Sequence, residues 1–112
     1  MSAARLLIYG ATGYTGELIA REAVRRGLQP VLAGRTETTV AALARELGCD
    51  YRIASLDASG ALDRALQGAT VTLHCAGPFA ATSAPMVAAC LRQRSHYLDI
   101  TGEIDVLEAM HQ

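Results

Sequence analysis

A glycine-rich stretch near the amino terminus constrains the fold more than any other feature of the chain. The run GATGYTG, residues 10–16, follows the apolar run LLIY and precedes ELIAREAVRRG, which has the pattern of an amphipathic helix. Glycines at three-residue spacing therefore stand where a β-strand is expected to turn into a helix. Such a turn is typical of a βαβ unit that binds the phosphates of a dinucleotide.

Short apolar runs alternate with helical patterns along the rest of the chain. We predict strands at residues 5–9, 30–34, 50–54, 70–75 and 96–100, and helices at residues 14–26, 37–47, 60–67 and 84–94. Thr36 and Ser59 are candidate N-caps, and Pro85 is expected in the first turn of the last helix. The alternation predicts an α/β fold, a doubly wound parallel sheet of the Rossmann type with strand order 3-2-1-4-5.

The spacing of apolar residues predicts one buried stripe on each helix. In chain order the stripes are Gly16, Ala20 and Ala23; Val40, Leu43, Ala44 and Leu47; Leu62, Ala65 and Leu66; and Val87, Cys90 and Leu91. On the solvent side of the first helix, Glu17 with Arg21 and Glu22 with Arg26 have the spacing of ion pairs.

Composition narrows the function classes. The chain has 112 residues, enough for one domain, and its net charge of -1 with 51% apolar residues indicates neither disorder nor a nucleic-acid partner. No apolar run approaches the roughly 18 residues of a membrane span, so we expect no membrane partner and a cytoplasmic location. Cys49, Cys75 and Cys90 lack metal-site spacing and are expected to be reduced thiols in or near the core, with no metal bound.

Sheets of this kind bind ligands outside the carboxyl ends of the strands, where the strand order reverses, here between strands 1 and 4. After strand 1, we expect Gly10 to form the tight turn, Gly13 to admit a pyrophosphate and Gly16 to let the helix pack closely. The amides of the helix N-terminus and nearby hydroxyls would be the donors. The candidate residues of this turn are Gly10, Thr12, Gly13, Tyr14, Thr15 and Gly16.

The end of strand 2 indicates which dinucleotide is bound. NAD sites usually have a carboxylate there, about 20 residues past the glycines, to accept a hydrogen bond from the ribose. This chain has Gly34, Arg35 and Thr36 instead, and a guanidinium favours the 2′-phosphate of NADP(H). Two alternatives stay open: Arg35 as a solvated surface residue, and Glu37 as the group that meets the ribose.

The end of strand 3 offers Asp57, either as a group at the adenine edge or as a turn or capping residue, with Leu56 as a cover for the adenine face. The turn after strand 4 contains small and rigid residues suited to the nicotinamide end. Its candidates are Ala76, Gly77, Pro78 and Phe79. His74, inside strand 4, is expected to be a core or sheet-edge residue.

After strand 5, Thr101, Gly102 and Glu103 stand where an oxidoreductase often presents groups to its substrate. Glu103 is either an acid/base or a carboxylate favoured by a helix N-terminus. No catalytic residue is assigned.

The segments GATGYTGELIAREAVRRG, VLAGRT, CAGPF and YLDITGE together resemble the NADP-binding domain of the saccharopine dehydrogenase-like family, which includes saccharopine reductases and trans-acting enoyl reductases. The similarity runs over nearly the whole chain. It implies NADP as the cofactor, the pyrophosphate at Gly10–Gly16, Arg35 as the mark of NADP use, and the turn Gly77–Phe79 beside the nicotinamide.

Members of that family continue into a substrate and dimerisation domain, whereas this chain stops at EIDVLEAMHQ. We therefore expect residues 1–112 to be the NADP-binding domain of an oxidoreductase that transfers hydride, inactive alone, with its small-molecule substrate bound by a domain absent from this chain. An exposed edge at strand 5 allows a homodimer.

Two alternatives remain. One is a non-catalytic NADP(H)-sensing or interaction module. The other is the amino-terminal part of an atypical short-chain dehydrogenase, which needs a tyrosine and lysine pair. All 10 basic residues are arginines, so that pair cannot lie within this chain.

Overall fold

The computed structural model describes residues 5–76 and 79–99, and for residues 79–83 it describes the backbone alone. The elements in those ranges are β1 (Leu6–Tyr9), α1 (Tyr14–Arg25), β2 (Val31–Gly34), α2 (Glu37–Leu47), β3 (Tyr51–Ile53), α3 (Ser59–Leu66), β4 (Val71–His74), α4 (Phe79–Gln93) and β5 (His96–Asp99). Every neighbouring pair of strands is parallel, and their order is β3-β2-β1-β4-β5. The predicted doubly wound fold and its strand order are confirmed.

Two apolar clusters, one on each face of the sheet, hold the helices. Because side chains alternate along a strand, β1 contributes Ile8 to one cluster and Leu7 and Tyr9 to the other. The Ile8 cluster contains residues of α1 and α2, whereas the Leu7 cluster contains residues of α3 and α4. Right-handed crossovers dictate this division. Because all the strands are parallel, their carboxyl ends lie at one edge of the sheet.

The predicted stripes of the first three helices agree with the structure. The buried residues are Gly16, Ala20 and Ala23 on α1, Val40, Leu43 and Ala44 on α2, and Leu62, Ala65 and Leu66 on α3, with Leu47 half-buried. The expected ion pairs of α1 also form. Arg21 in addition reaches Glu46 at 2.6 Å, which links the outer surfaces of α1 and α2.

The start of α4 differs from the prediction. The helix begins at Phe79 rather than at residue 84, so Pro85 lies inside it and not in its first turn. A proline inside a helix lacks the N–H that would bond one turn back, which is why the sequence pattern favoured a later start. The helix nevertheless continues past Pro85 and buries Met86, Ala89 and Cys90.

The buried stripe of α4 is also shifted. Met86, Ala89 and Cys90 are buried, whereas the predicted Val87 is half-buried and Leu91 is 76% exposed. Both sets share the spacing i, i+3, i+4, but a shift of one residue turns the stripe by about 100°. The run PMVAACL is apolar enough to satisfy either phase.

The capping predictions are right for α2 and wrong for α3. Thr36 is the N-cap of α2, although its hydroxyl makes no capping hydrogen bond. For α3 the N-cap is Ala58, and the predicted cap Ser59 is the first helical residue. The turn before α3 is closed instead by the backbone, because the N–H of Ala58 donates to the carbonyl of Ser55 at 3.2 Å.

Among the residues that the structure describes, no helix is long and apolar enough to cross a membrane, and no cluster of three or more His, Cys, Asp or Glu is arranged to hold a metal ion. Cys90 is buried, Cys49 and Cys75 are half-buried, and all three are free thiols.

His74 has no exposed surface and lies inside β4, as predicted for a core histidine. Burial lowers the pKa of its imidazole, and the carboxylate of Asp99 partly offsets that effect. The side chain is therefore neutral in the folded protein at pH 7.

Acidification is expected to destabilise the fold through His74. The pKa of a histidine in the unfolded chain is about 6.5, and burial makes the pKa of His74 in the folded protein lower. As the pH falls below about 6.5, the unfolded state therefore binds more protons than the folded state. The free energy of unfolding, measured by urea denaturation and circular dichroism, should fall more steeply from pH 7 to pH 5 in the wild type than in His74→Gln. Equal slopes would contradict this assignment.

Candidate functional site

The glycine turn follows β1 without an intervening residue. Gly10 has a φ of 84°, in the left-handed region, and its N–H donates to the carbonyl of Ala33 at 2.9 Å. The N–H of Gly13 donates back to the carbonyl of Gly10 at 3.1 Å, which closes the turn before α1 starts. The turn is thus fixed at the carboxyl edge of β1 and β2.

The three glycines of the turn differ in what requires them. A Cβ on Gly16 would lie 2.0 Å from the Gly10 carbonyl oxygen, and a Cβ on Gly10 would lie 2.7 Å from the backbone nitrogen of Ala76. A Cβ on Gly13 would lie 3.5 Å from its nearest neighbour, an ordinary contact, and its φ of -73° suits any residue. The packing of the chain requires glycine at positions 10 and 16 but not at the exposed position 13.

The N-terminus of α1 opens onto the same turn. Its N-cap is Gly13, which provides no side-chain cap, so the first amides of the helix lack the partner that a capping residue would supply. These amides and the helix dipole favour an anion. Beside them, Thr12 and Tyr14 are exposed and Thr15 is half-buried.

The residues after β2 lie at the neighbouring strand end. Gly34 is buried, and a Cβ there would approach Val40 to 2.9 Å, so this glycine lets α2 pack on β2. Arg35 is exposed and forms no ion pair within the described residues. Five other arginines do pair with carboxylates: Arg5, Arg21, Arg25, Arg26 and Arg92.

Tyr9, the last residue of β1, connects the ends of three strands. We did not predict it as a site residue from the sequence. Its ring lies beside Ala33 of β2, and its hydroxyl donates to the carbonyl of Ala54, after β3, at 2.7 Å. Burial raises the pKa of this hydroxyl, the charge of Arg35 lowers it, and that of Asp57 raises it. The position of Tyr9 directly before the glycine turn is the sequence signal that could have identified it.

Asp57 is part of the turn between β3 and α3. The hydroxyl of Ser55 donates a hydrogen bond to its carboxylate, and the side chain is otherwise exposed. Leu56 is half-buried against the cluster beneath α3. This geometry agrees with the interpretation of Asp57 as a turn residue. A contact of Asp57 or Leu56 with adenine stays a prediction.

The turn after β4 touches the glycine turn, since the backbone of Ala76 is what limits space at Gly10. The N–H of Cys75 donates to the carbonyl of Tyr9 at 2.8 Å. Burial raises the pKa of the Cys75 thiol to about 11, so this thiol is protonated at neutral pH. Other candidates named from the sequence lie outside the described residues: Gly77, Pro78, the side chain of Phe79, Thr101, Gly102 and Glu103.

A surface cavity of about 900 Å³ lies at the opposite, amino edge of the sheet. It is lined by the loops that follow α1, α2 and α3, including Gly27, Gly48 and Gly68. Helix carboxyl ends carry partial negative charge, and the nearby Arg5 is already paired with Asp50 at 2.8 Å. The charge distribution makes this cavity a poor site for phosphate, whatever its size.

The carboxyl edge, in contrast, fits an extended anion. It has a helix N-terminus without a side-chain cap, a glycine at which a side chain would fit, and on the next strand end a guanidinium with no ion pair in the described part of the chain. The described residues thus suit a dinucleotide with its pyrophosphate at Gly13 and a further phosphate at Arg35.

Comparison with known proteins agrees with this chemistry. The family described as "Saccharopine dehydrogenase NADP binding domain" matches residues 6–111. An alignment 124 residues long, gaps included, relates the chain at 29% identity to a saccharopine dehydrogenase-like oxidoreductase of Homo sapiens. It covers 94% of this chain and 29% of that protein. The chain is 33% identical over 106 residues to a trans-acting enoyl reductase of Mycobacterium ulcerans, covering 88% of this chain and 25% of that protein.

A solved structure is similar over most of the chain. An NADPH-dependent quinone oxidoreductase from Escherichia coli, crystallised with NADPH, superposes with a TM-score of 0.68 and 27% identity, covering 80% of this chain and 34% of that one. The chain thus spans about a quarter to a third of the length of these proteins.

Alanine at the glycines of the turn should separate packing from binding. Gly16→Ala forces a methyl group into the Gly10 carbonyl, and we expect it to lower the free energy of unfolding by about 1–3 kcal/mol or more. Gly13→Ala meets only an ordinary contact and should lower it by less, about 1 kcal/mol at most, because alanine is a poorer N-cap than glycine. Urea denaturation of both variants measures this difference. Equal losses would show that Gly13 is required by packing after all.

Proposed function

Because this chain belongs to the family of saccharopine dehydrogenase NADP-binding domains, we propose that it binds NADP(H) along the carboxyl edge of its sheet. The pyrophosphate lies against the turn Gly10–Gly16 and the first amides of α1. This placement rests on the geometry of Gly13. A side chain would fit at this position, and the backbone conformation does not require glycine. A group from outside the chain that approaches the backbone at that point explains the missing side chain.

The 2′-phosphate lies at Arg35. Its guanidinium is exposed and unpaired within the described residues, and Arg35 directly follows β2, the strand beside β1. Thr36 offers a hydroxyl at the N-terminus of α2 that makes no capping hydrogen bond. A charged, bidentate donor beside a helix N-terminus supports a phosphate rather than a ribose hydroxyl.

The nicotinamide end lies toward β4. Ala76 touches the backbone of the glycine turn, so a cofactor that crosses that turn meets the residues after β4 next. We keep Gly77, Pro78 and Phe79 as the proposed walls of the nicotinamide site on the strength of their residue types and place in the sequence.

The whole protein is proposed to be an oxidoreductase in which this chain provides the cofactor half. Bound NADP(H) supplies hydride transfer, while the residues of this chain fix the cofactor and shield one side of it. The relatives are three to four times longer than the matched region, which supports a separate substrate domain. A homodimer also stays a prediction, compatible with the place of β5 at the end of the strand order.

Two other functions remain as proposals. A non-catalytic NADP(H)-sensing module would use the same site without turnover. An atypical short-chain dehydrogenase would need its tyrosine and lysine pair from outside this chain, since all 10 basic residues here are arginines.

Arg35→Ala is expected to remove most of the preference for NADPH over NADH. A charged hydrogen bond is worth about 1.5–3 kcal/mol, so NADPH affinity should fall about ten- to hundredfold while NADH affinity stays nearly constant. Isothermal titration of the 112-residue chain with both cofactors measures the two affinities. Arg45→Ala, which removes another exposed arginine without an ion pair in the described residues, is the matched control.

Equal affinities of the wild type for NADPH and NADH would contradict the role of Arg35. A comparable loss in Arg45→Ala would show that only general charge attraction was measured.

The isolated chain is expected to show negligible turnover. With NADPH and imine or enoyl-ester substrates, absorbance at 340 nm should stay constant, because the proposed substrate site belongs to a second domain. Steady NADPH oxidation by the purified chain would contradict the proposal that the chemistry needs a second domain.

A further inference from the structure

Three rings form a row beneath the carboxyl edge of the sheet. Tyr9 of β1, His74 of β4 and Tyr97 of β5 all belong to the face that α3 and α4 cover. The ring of His74 lies between the other two, with centroid distances of 5.9 Å to Tyr9 and 6.2 Å to Tyr97, and both contacts are tilted. We call these residues the ring row.

Each end of the ring row is anchored by a hydroxyl. At one end, Tyr9 reaches over the small side chain of Ala33 to the carbonyl of Ala54 at 2.7 Å. At the other end, the hydroxyl of Tyr97 donates to the carboxylate of Asp99 at 2.6 Å. Burial and this hydrogen bond raise the pKa of Tyr97, so it remains a donor at neutral pH.

The ring row lies directly below the turns of the proposed site. Tyr9 precedes Gly10 of the glycine turn, and His74 precedes Cys75 of the turn after β4. The two residues are register partners, and His74 is in turn the partner of Asp99. The positions of the Tyr9 and His74 rings are therefore linked to the backbone of a turn one residue away, and Tyr97 contacts the His74 ring.

We propose that Tyr9 and Tyr97 are positioning residues for opposite halves of the cofactor. Tyr9 pairs with Ala33, two residues before Arg35, and its hydroxyl holds the carbonyl of Ala54 after β3, so it positions the adenosine half. Tyr97 fixes the β5 side of His74, the last residue before the turn after β4, so it positions the nicotinamide half. The inference rests on the proposed cofactor site.

The two anchors are separable because the two hydroxyls donate to different acceptors. Loss of the Tyr97 hydroxyl leaves Tyr9 bonded to Ala54, and loss of the Tyr9 hydroxyl leaves Tyr97 bonded to Asp99. Tyrosine to phenylalanine changes keep the ring contacts with His74 and remove the hydrogen bond alone.

Adenosine 2′,5′-bisphosphate, which carries only the adenosine half, and NADPH distinguish the two roles. Tyr97→Phe is expected to weaken NADPH about two- to tenfold and to leave the bisphosphate unchanged, as fits the loss of one hydrogen bond. Tyr9→Phe is expected to weaken both ligands by a similar factor. Tyr51→Phe, at the amino end of β3, is the matched control and should change neither.

Isothermal titration of the full chain measures all the affinities, and urea denaturation measures the stability of each variant. Loss of affinity for both ligands in both tyrosine variants, in proportion to lost stability, would show a structural role only and overturn the inference. Unchanged affinities would overturn it too. Failure of the wild type to bind either ligand would instead refute the proposed cofactor site.

Discussion

The close approach of α1 to the backbone of the turn before it is the constraint on which the rest of the structure depends. No side chain fits between Gly16 and the carbonyl of Gly10, and none fits between Gly10 and the backbone of Ala76. These two contacts bring the N-terminus of α1 and the turn after β4 against one point of the sheet edge. The small buried residues Ala20 and Ala23 extend the same close packing along α1.

That constraint also directs charge. With α1 packed this closely, its uncapped N-terminus opens at the edge where the strand order reverses, and Arg35 stands at the end of the neighbouring strand. The opposite edge carries the carboxyl ends of the helices and an arginine already paired with Asp50. One end of the sheet is thus suited to phosphate and the other is not, although a cavity is found at the latter.

Much of this could be predicted from the sequence because local signals and the fold agree. Glycines after α1, α2 and α3, alternating apolar runs and the rule of right-handed crossovers are sufficient for the strand order and for the stripes of these three helices. The stripe of α4 could not be predicted, because PMVAACL satisfies two helical phases and only packing selects Met86 over Val87. Tyr9 and Tyr97 were missed for another reason. Their partners, Ala54 and Asp99, are recognised only once register brings strand ends together.

We propose that the cofactor lies at the carboxyl edge of the sheet. This placement can be tested by amide chemical-shift mapping of the ¹⁵N-labelled 112-residue chain during titration with NADPH. The largest shifts are expected in the glycine turn Gly10–Gly16, at Arg35 and at Ala76. Shifts concentrated instead at Gly27, Gly48 and Asp50, around the cavity at the amino edge, would contradict it.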